Sequence, residues 1–277
     1  LNTKVTSIRN HENMFQLTLA SGPVLQCERL IVATGGKAYP TLGSRGELFP
    51  SLKALGHTVL PLRPALAPVT CEMKPYARLS GVRLDARASL YENETPIAET
   101  KGNLIFTDWG LNGPAVMDLS HHISNRSGAH LELRLNPLFS CESSLRELIQ
   151  QQRDTPTPMR VILGAVLPQK LAVVMITKAG LDIDTRLNQI NDSQLEKLLR
   201  LIKAIPFKVT GVRGFEYCQI RAGGVPVSEV NPLNMRSRIL PGLALVGETL
   251  DVVGPCGGYN LHFAFSSGAV AGMHAQD

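Results

Sequence analysis

Leu240-Pro241-Gly242-Leu243-Ala244-Leu245-Val246-Gly247-Glu248, followed after a short loop by Cys256-Gly257-Gly258-Tyr259-Asn260, is the stretch that decides the fold. The apolar run 243–246 reads as a buried strand. Gly247-Glu248 reads as a glycine turn carrying an acid. A helix then opens behind Gly257, Gly258 and Asn260 and runs over residues 261–274. Strand, glycine turn, acid, glycine pair and helix N-terminus together describe a ligand-binding edge of an α/β sheet.

That helix carries Ala264, Ser267, Gly268, Ala271 and Gly272, nearly all on one face. A helical glycine costs about 1 kcal/mol relative to alanine, so close packing on a sheet or on a flat ligand is expected. Helix N-termini favour negative charge through unpaired N–H groups and the macrodipole. The N1–C2=O edge of a reduced flavin is a natural guest; an ordinary helix packed tightly on a sheet is the plainer reading.

The chain of 277 residues is long enough for a sizeable core and more than one domain. With 44% hydrophobic and 18% charged residues it has a globular rather than a disordered balance. A net charge of +5 permits an acidic partner, but Lys and Arg are scattered rather than gathered into a nucleic-acid patch. No apolar run approaches the ~20 residues of a membrane span, and no signal peptide is evident. Cys27, Cys71, Cys141, Cys218 and Cys256 are odd in number and widely spaced, matching neither a disulfide framework nor a zinc site. A reducing cytoplasm is the simplest home.

Strands are expected at 4–8, 15–19 and 24–27, forming a small antiparallel meander. The buried run 30–33 then ends in Thr34-Gly35-Gly36, where small residues let backbone approach a ligand. A helix over 48–55 stops at Gly56, and Pro61 and Pro64 mark a boundary because paired prolines break regular structure. Short strands over 65–136, the cleanest at 131–135, point to a barrel or a sandwich. Helical periodicity takes over at 140–204, with Ser193-Gln194-Leu195-Glu196 read as a capping box. Strands return at 207–210, 217–220 and 223–225. A helical excursion inside a strand-rich segment implies an inserted subdomain.

Val32-Ala33-Thr34-Gly35-Gly36 after a meander resembles the second glycine motif of two-dinucleotide-fold flavoproteins. Gly-Gly-Lys-Ala-Tyr-Pro (35–40), Ala-Gly-Gly-Val (222–225), Gly-Glu-Thr-Leu-Asp-Val (247–252) and Gly-Gly-Tyr-Asn-Leu-His-Phe-Ala-Phe-Ser-Ser-Gly (257–268) follow in order. The set resembles the BaiN-type family of bacterial FAD/NAD(P)-dependent oxidoreductases over essentially the whole chain. The resemblance implies an FAD domain interrupted by a β-barrel domain that itself carries a helical insert. The expected fold is therefore α/β plus β-barrel: an incomplete Rossmann-like FAD domain at 1–63 and 239–277, a barrel at 64–138 and 206–238, and a helical insert at 139–205. Family members begin with a strand, a G-x-G-x-x-G turn and a helix that hold the FAD pyrophosphate. That pattern does not occur here, since Gly43-Ser44-Arg45-Gly46 is too short, so the chain resembles a family member lacking roughly its first third.

The candidate cofactor-binding residues are Ala33, Thr34, Gly35, Gly36, Gly247, Glu248, Asp251, Gly257, Gly258, Tyr259 and Asn260. Glu248 and Asp251 are expected to accept hydrogen bonds from ribityl or ribose hydroxyls; solvent-facing loop acids are the plain alternative. Residues 257–260 would offer backbone N–H groups to the flavin pyrimidine edge. Arg213, Glu216 and Arg221 are candidates for proton transfer, against a structural or substrate-orienting role. Family relatives usually carry a small neutral residue in place of Arg221, so no role is carried over to it. Cys256 and His262 read as packing residues. His121-His122 is rejected as a metal site, because adjacent side chains diverge and no third ligand is suitably spaced.

Three functions are in play. The first is an FAD-dependent oxidoreductase passing hydride from NADH or NADPH to a small-molecule acceptor. The second is a catalytically silent remnant or interaction module, and the third a flavin reductase acting on RNA. The first requires residues 33–36 and 247–258 to converge on one flat ring system.

Overall fold

Alternating apolar and polar residues build the opening of the chain. In the computed structural model, which describes residues 2–126 and 130–276, β1 (Val5–His11), β2 (Met14–Leu19) and β3 (Val24–Cys27) form an antiparallel meander. Ile8, Phe15 and Leu19 are its buried side chains. The β1–β2 turn at Glu12-Asn13 takes positive φ at both residues, 51° and 64°, matching the right-handed twist of the strands it joins. β4 (Leu30–Val32) follows, then α1 (Phe49–Ala54), which Gly56 ends at φ 98°.

β5 (Leu60–Ala65) runs through Pro61 and Pro64, where the sequence pointed to a break. A two-stranded sheet explains the difference. Among the described residues β5 pairs only with β12 (Ile220–Gly224), so each strand has a free edge on which a missing N–H costs no ladder bond.

Residues Pro68–Val212 form one compact unit. Its strands are β6 (Val69–Cys71), β7 (Arg83–Glu92), β8 (Thr95–Phe106), β9 (Gly110–Asn112), β10 (Leu131–Asn136) and β11 (Ile205–Val212). They close into an antiparallel barrel of order β10-β11-β6-β9-β8-β7, which decides between barrel and sandwich. Leu131, Leu133 and Leu135 on β10 and Ile205, Phe207 and Val209 on β11 point inward, as period-two patterning requires. Phe207 sits at the centre, its ring 4.4 Å from that of Tyr76 and 5.8 Å from that of Phe106. Two short helices, α2 (Pro114–Met117) and α3 (Ser120–Ile123), separate β9 from β10.

Between β10 and β11 lie α4 (Glu142–Gln151), α5 (Met159–Gly164), α6 (Gln169–Lys178) and α7 (Asp192–Lys203). The capping box of α7 starts at Asn191, two residues before the expected Ser193. Asn191 Oδ1 accepts the Gln194 N–H at 2.9 Å while Gln194 Oε1 accepts the Asn191 N–H at 3.1 Å. Asn and Gln satisfy the same reciprocal geometry as Ser and Glu. The apolar sides of these helices share one continuous core with the barrel interior.

Residues Leu1–Ala67 and Arg213–Asp277 form the other unit. To the elements already named it adds β13 (Leu243–Leu245) and α8 (Tyr259–Met273). In place of the two strands expected at 217–220 and 223–225 there is one, β12, and it pairs with β5 rather than with the barrel strands. Among the described residues no helix is long and apolar enough to cross a membrane.

Candidate cofactor site

β4 and β13 are parallel neighbours, Leu243 opposite Leu30 and Leu245 opposite Val32. Parallel pairing brings their C-terminal ends side by side. Residues 33–36 and 246–248 therefore leave the sheet at one edge, where open α/β sheets bind ligands. The Val246 N–H donates to the Val32 carbonyl at 3.2 Å, and Gly247 then turns the chain at φ 56°.

α8 is tied to that turn by one side chain. The Gly247 N–H donates to Ser267 Oγ at 3.0 Å, and the Ser267 hydroxyl donates to the Phe263 carbonyl at 2.7 Å. Ser267 and Ala271 are buried, and Ala264 packs where a Cβ on Gly247 would touch it at 3.5 Å. The helical glycines have a different setting. A Cβ on Gly268 or Gly272 would meet open space, so packing on the sheet does not require them. Leu261, Phe265 and Met273 are respectively 67%, 76% and 72% exposed, so the outer side of α8 carries large apolar side chains beside His262 and Ser266 and no Lys, Arg, Asp or Glu.

Two clefts open at the sheet edge. Ala33, Gly35, Gly36, Gly247 and Glu248 line one of about 380 Å³. Cys256, Gly257, Gly258 and Asn260 line the other, of about 230 Å³. Gln219, Glu248 and Ala264 line both, so the clefts adjoin along these three side chains. The strand-end and helix-start glycines thus meet around Glu248.

Asn260 shapes the entry to α8. Its side chain accepts the Gly254 N–H at 2.8 Å and donates to the Gly254 carbonyl at 2.9 Å. Gly258 precedes the helix at φ 92°, and no side chain caps it. Nothing lies within 4 Å of where a Gly258 Cβ would stand.

The remaining sequence candidates fall elsewhere. Thr34 lines a separate cleft of about 400 Å³ along β1 and β4. Asp251 Oδ1 accepts the Gly223 N–H at 2.7 Å and braces that turn. Tyr259 is 62% exposed. Arg213 stacks over Tyr217, its Cζ 3.3 Å from the ring centroid, and Glu216 is exposed. Neither is among the residues that line the two clefts. Gln219 and Leu66 were missed, because neither carries a motif and both reach the cleft through long-range packing.

Glu248 and Arg221 dominate the electrostatics. The Glu248 carboxylate accepts no hydrogen bond from any described residue and is free to accept one from a ligand. Burial raises its pKa above the ordinary value, opposed by the Arg221 charge. Arg221 is 1% exposed, and burial lowers its pKa to about 10 against the attraction of Glu248 and Asp251. Its side chain also accounts for Gly36. A Cβ there would lie 2.6 Å from Arg221 Cγ and 3.0 Å from Glu248 Oε2.

The family description HI0933-like protein Rossmann domain matches residues 1–274. The chain belongs to this family. The resemblance carried by the glycine blocks is borne out, and with it the Rossmann-like and barrel fold class. The chain is 32% identical over 263 residues to the 3-dehydro-bile acid delta(4,6)-reductase of Clostridium scindens, covering 93% of this chain and 64% of the relative. It is 32% identical over 271 residues to the ribosomal RNA dihydrouridine synthase of Escherichia coli, covering 96% of this chain and 65% of that protein. The Haemophilus influenzae protein of the same description is 30% identical over 268 residues, covering 96% and 64%. The chain thus spans just under two thirds of the length of these relatives.

Proposed function

We propose that these residues form the flavin-holding part of an FAD-dependent oxidoreductase that draws on NADH or NADPH and acts on a small molecule in the cytoplasm. One observation carries the reading: the Glu248 carboxylate, without a protein donor, stands where two glycine-bearing segments meet at the end of a parallel sheet. The donor set fits the group. An ionised carboxylate is acceptor-only, which suits the hydroxyls of a ribityl chain. Gly257 and Gly258 leave the start of α8 open, and the helix N-terminus there favours a partly negative ring edge. Leu66, Ile220, Pro255 and Leu261 give the smaller cleft apolar walls that exclude water. When bound, a flavin supplies the hydride chemistry, and the protein orients it. The relative named a reductase supports a redox role.

Fluorescence titration with FAD tests the proposal. Binding that weakens about tenfold in Glu248→Gln, the loss of roughly one charge-assisted hydrogen bond, is the expected result. A folded chain that never retains flavin overturns it and favours the silent module.

A second reading, reduction of an RNA base, has its own observation. The Tyr39 N–H donates to the Phe215 carbonyl at 3.0 Å, bringing exposed Tyr39 and Tyr217 into neighbouring loops beside the larger cleft. Lys37 lies 4.7 Å from the Phe215 ring centroid, and Arg213 stacks on Tyr217. Exposed aromatics interleaved with cations are what unstacked bases bind. The relatives named ribosomal RNA dihydrouridine synthases support this reading. RNA binding that falls steeply with salt, and weakens in Tyr39→Ala, would favour it over a small molecule.

A further inference from the structure

Arg221 lies in β12 between Ile220 and Ala222, with Gly223 and Gly224 completing the strand. Its guanidinium donates to the carbonyls of Gly223 and Leu250, the latter at 3.2 Å. Its Cζ stands 5.2 Å from the Phe49 ring centroid. The guanidinium presses on Gly224, where an ideal Cβ would lie 2.6 Å from Nη1. Gly224 is held at φ 87°, so Arg221 and the backbone turn select glycine together. Nε is buried with no hydrogen-bond partner. It faces the Cα of Gly36, where an ideal Cβ would lie 2.7 Å from Nε and 3.0 Å from Glu248 Oε2. Those two distances together bound the separation of Nε from the carboxylate.

A buried charge is costly unless another charge or a polar network compensates it. Two backbone carbonyls satisfy donors of Arg221 but do not neutralise it. Asp251 contributes attraction, yet its carboxylate is already engaged by the Gly223 N–H. Among the described residues Glu248 is the remaining acid that acts on Arg221, and Arg221 is the one opposite charge that acts on Glu248. Cys218 also faces Glu248, but burial pushes its thiol up to about 11, so it stays neutral near pH 7.

We propose that Arg221 is a positioning residue, a buried counter-ion that keeps the Glu248 carboxylate ionised and directed into the two clefts. The clefts consequently select a ligand that presents hydroxyl donors. The ligand's identity as a flavin polyol chain rests on the proposed function; the Arg221–Glu248 couple does not.

The test has two arms, both on the whole chain. In the first, glutamate is labelled at its side-chain carboxyl with ¹³C, and the Glu248 resonance is identified by its loss in Glu248→Gln. The expected result is an upward move of its titration midpoint in Arg221→Gln and little move in Arg221→Lys, which keeps the charge. Gln retains an amide donor for the backbone carbonyls, and Arg221→Met serves if Gln does not fold. An unmoved midpoint in a folded neutral variant overturns the proposal. In the second arm, FAD binding to Arg221→Gln weakens about tenfold near neutral pH and weakens further as pH falls, a pH dependence that a merely structural role would not produce. If the wild-type chain binds no FAD while the Glu248 midpoint still moves, the flavin reading fails and the electrostatic coupling of Arg221 to Glu248 stands.

Discussion

Replacing Gly36 by alanine separates two explanations of a glycine at a sheet edge. If Gly36 is small so that a ligand can approach, alanine is harmless until the ligand arrives. The structure gives a different result. The new methyl would stand 2.6 Å from Arg221 Cγ, the middle of a side chain pinned at its far end to two carbonyls. Overpacking of this kind costs about 1–3 kcal/mol. Displacing the guanidinium from one carbonyl adds about 1.5–3 kcal/mol for a hydrogen bond from a charged donor. A loss of about 2.5–6 kcal/mol is therefore expected in ligand-free protein. At about 2–4 °C per kcal/mol the melting temperature falls by roughly 5–24 °C. Differential scanning calorimetry of Gly36→Ala, Arg221→Ala and the double variant reads it directly. The alanine methyl should cost much less once Arg221 is shortened, a coupling of more than about 1 kcal/mol. A Gly36→Ala chain as stable as wild type without ligand, or a cycle with no coupling, refutes the reasoning.

Other consequences are open to measurement. Phe207→Ala, which empties the centre of the barrel between Tyr76 and Phe106, should cost about 3–5 kcal/mol by urea denaturation. Asn191→Ala removes the α7 cap and should cost about 1 kcal/mol, with Asn191→Ser recovering most of it. Glu229 is pushed up by burial, but hydrogen bonds from Thr58 and His57 outweigh this and hold its pKa below the ordinary value. A depressed carboxylate stabilises the fold above its unfolded pKa and loses that contribution as pH falls through the folded value. Glu229→Gln should therefore lower the melting temperature at pH 7, and the difference should shrink below about pH 4; an equal difference at both pH values contradicts the assignment.

Much of the site was legible in the sequence because its decisive parts are short and contiguous. Leu243–Leu245, Gly247-Glu248 and the glycine pair before α8 each announce themselves within a few residues. β4 and β13 pair in parallel across some two hundred residues and bring the two glycine-bearing ends together as the sequence required, although on β4 only Val32 is buried and Ile31 is exposed. What the sequence concealed depends on long-range partners. Pro61 and Pro64 read as a break because nothing local says that β5 is an edge strand. Asp251 read as a ligand for ribose or a loop acid, and nothing local shows that its Oδ1 accepts the Gly223 N–H. Arg221 stood open between proton transfer and a structural or substrate-orienting role, because its burial depends on the Leu250 carbonyl, Phe49 and Glu248, all distant in the chain. Gly36 accordingly looked like a ligand contact when a neighbouring side chain already claims the space.

The outer side of α8 bears on how the protein behaves at the bench. From Tyr259 to Met273 there is no formal charge to repel a second molecule, while Leu261, Phe265 and Met273 are in water. Sulfate, which strengthens apolar association, should drive these residues into clumps early. A single lysine at Phe265 should delay that clumping and leave the fold untouched. Turbidity against ammonium sulfate concentration would record the difference, and the same substitution offers a practical route to a tractable sample.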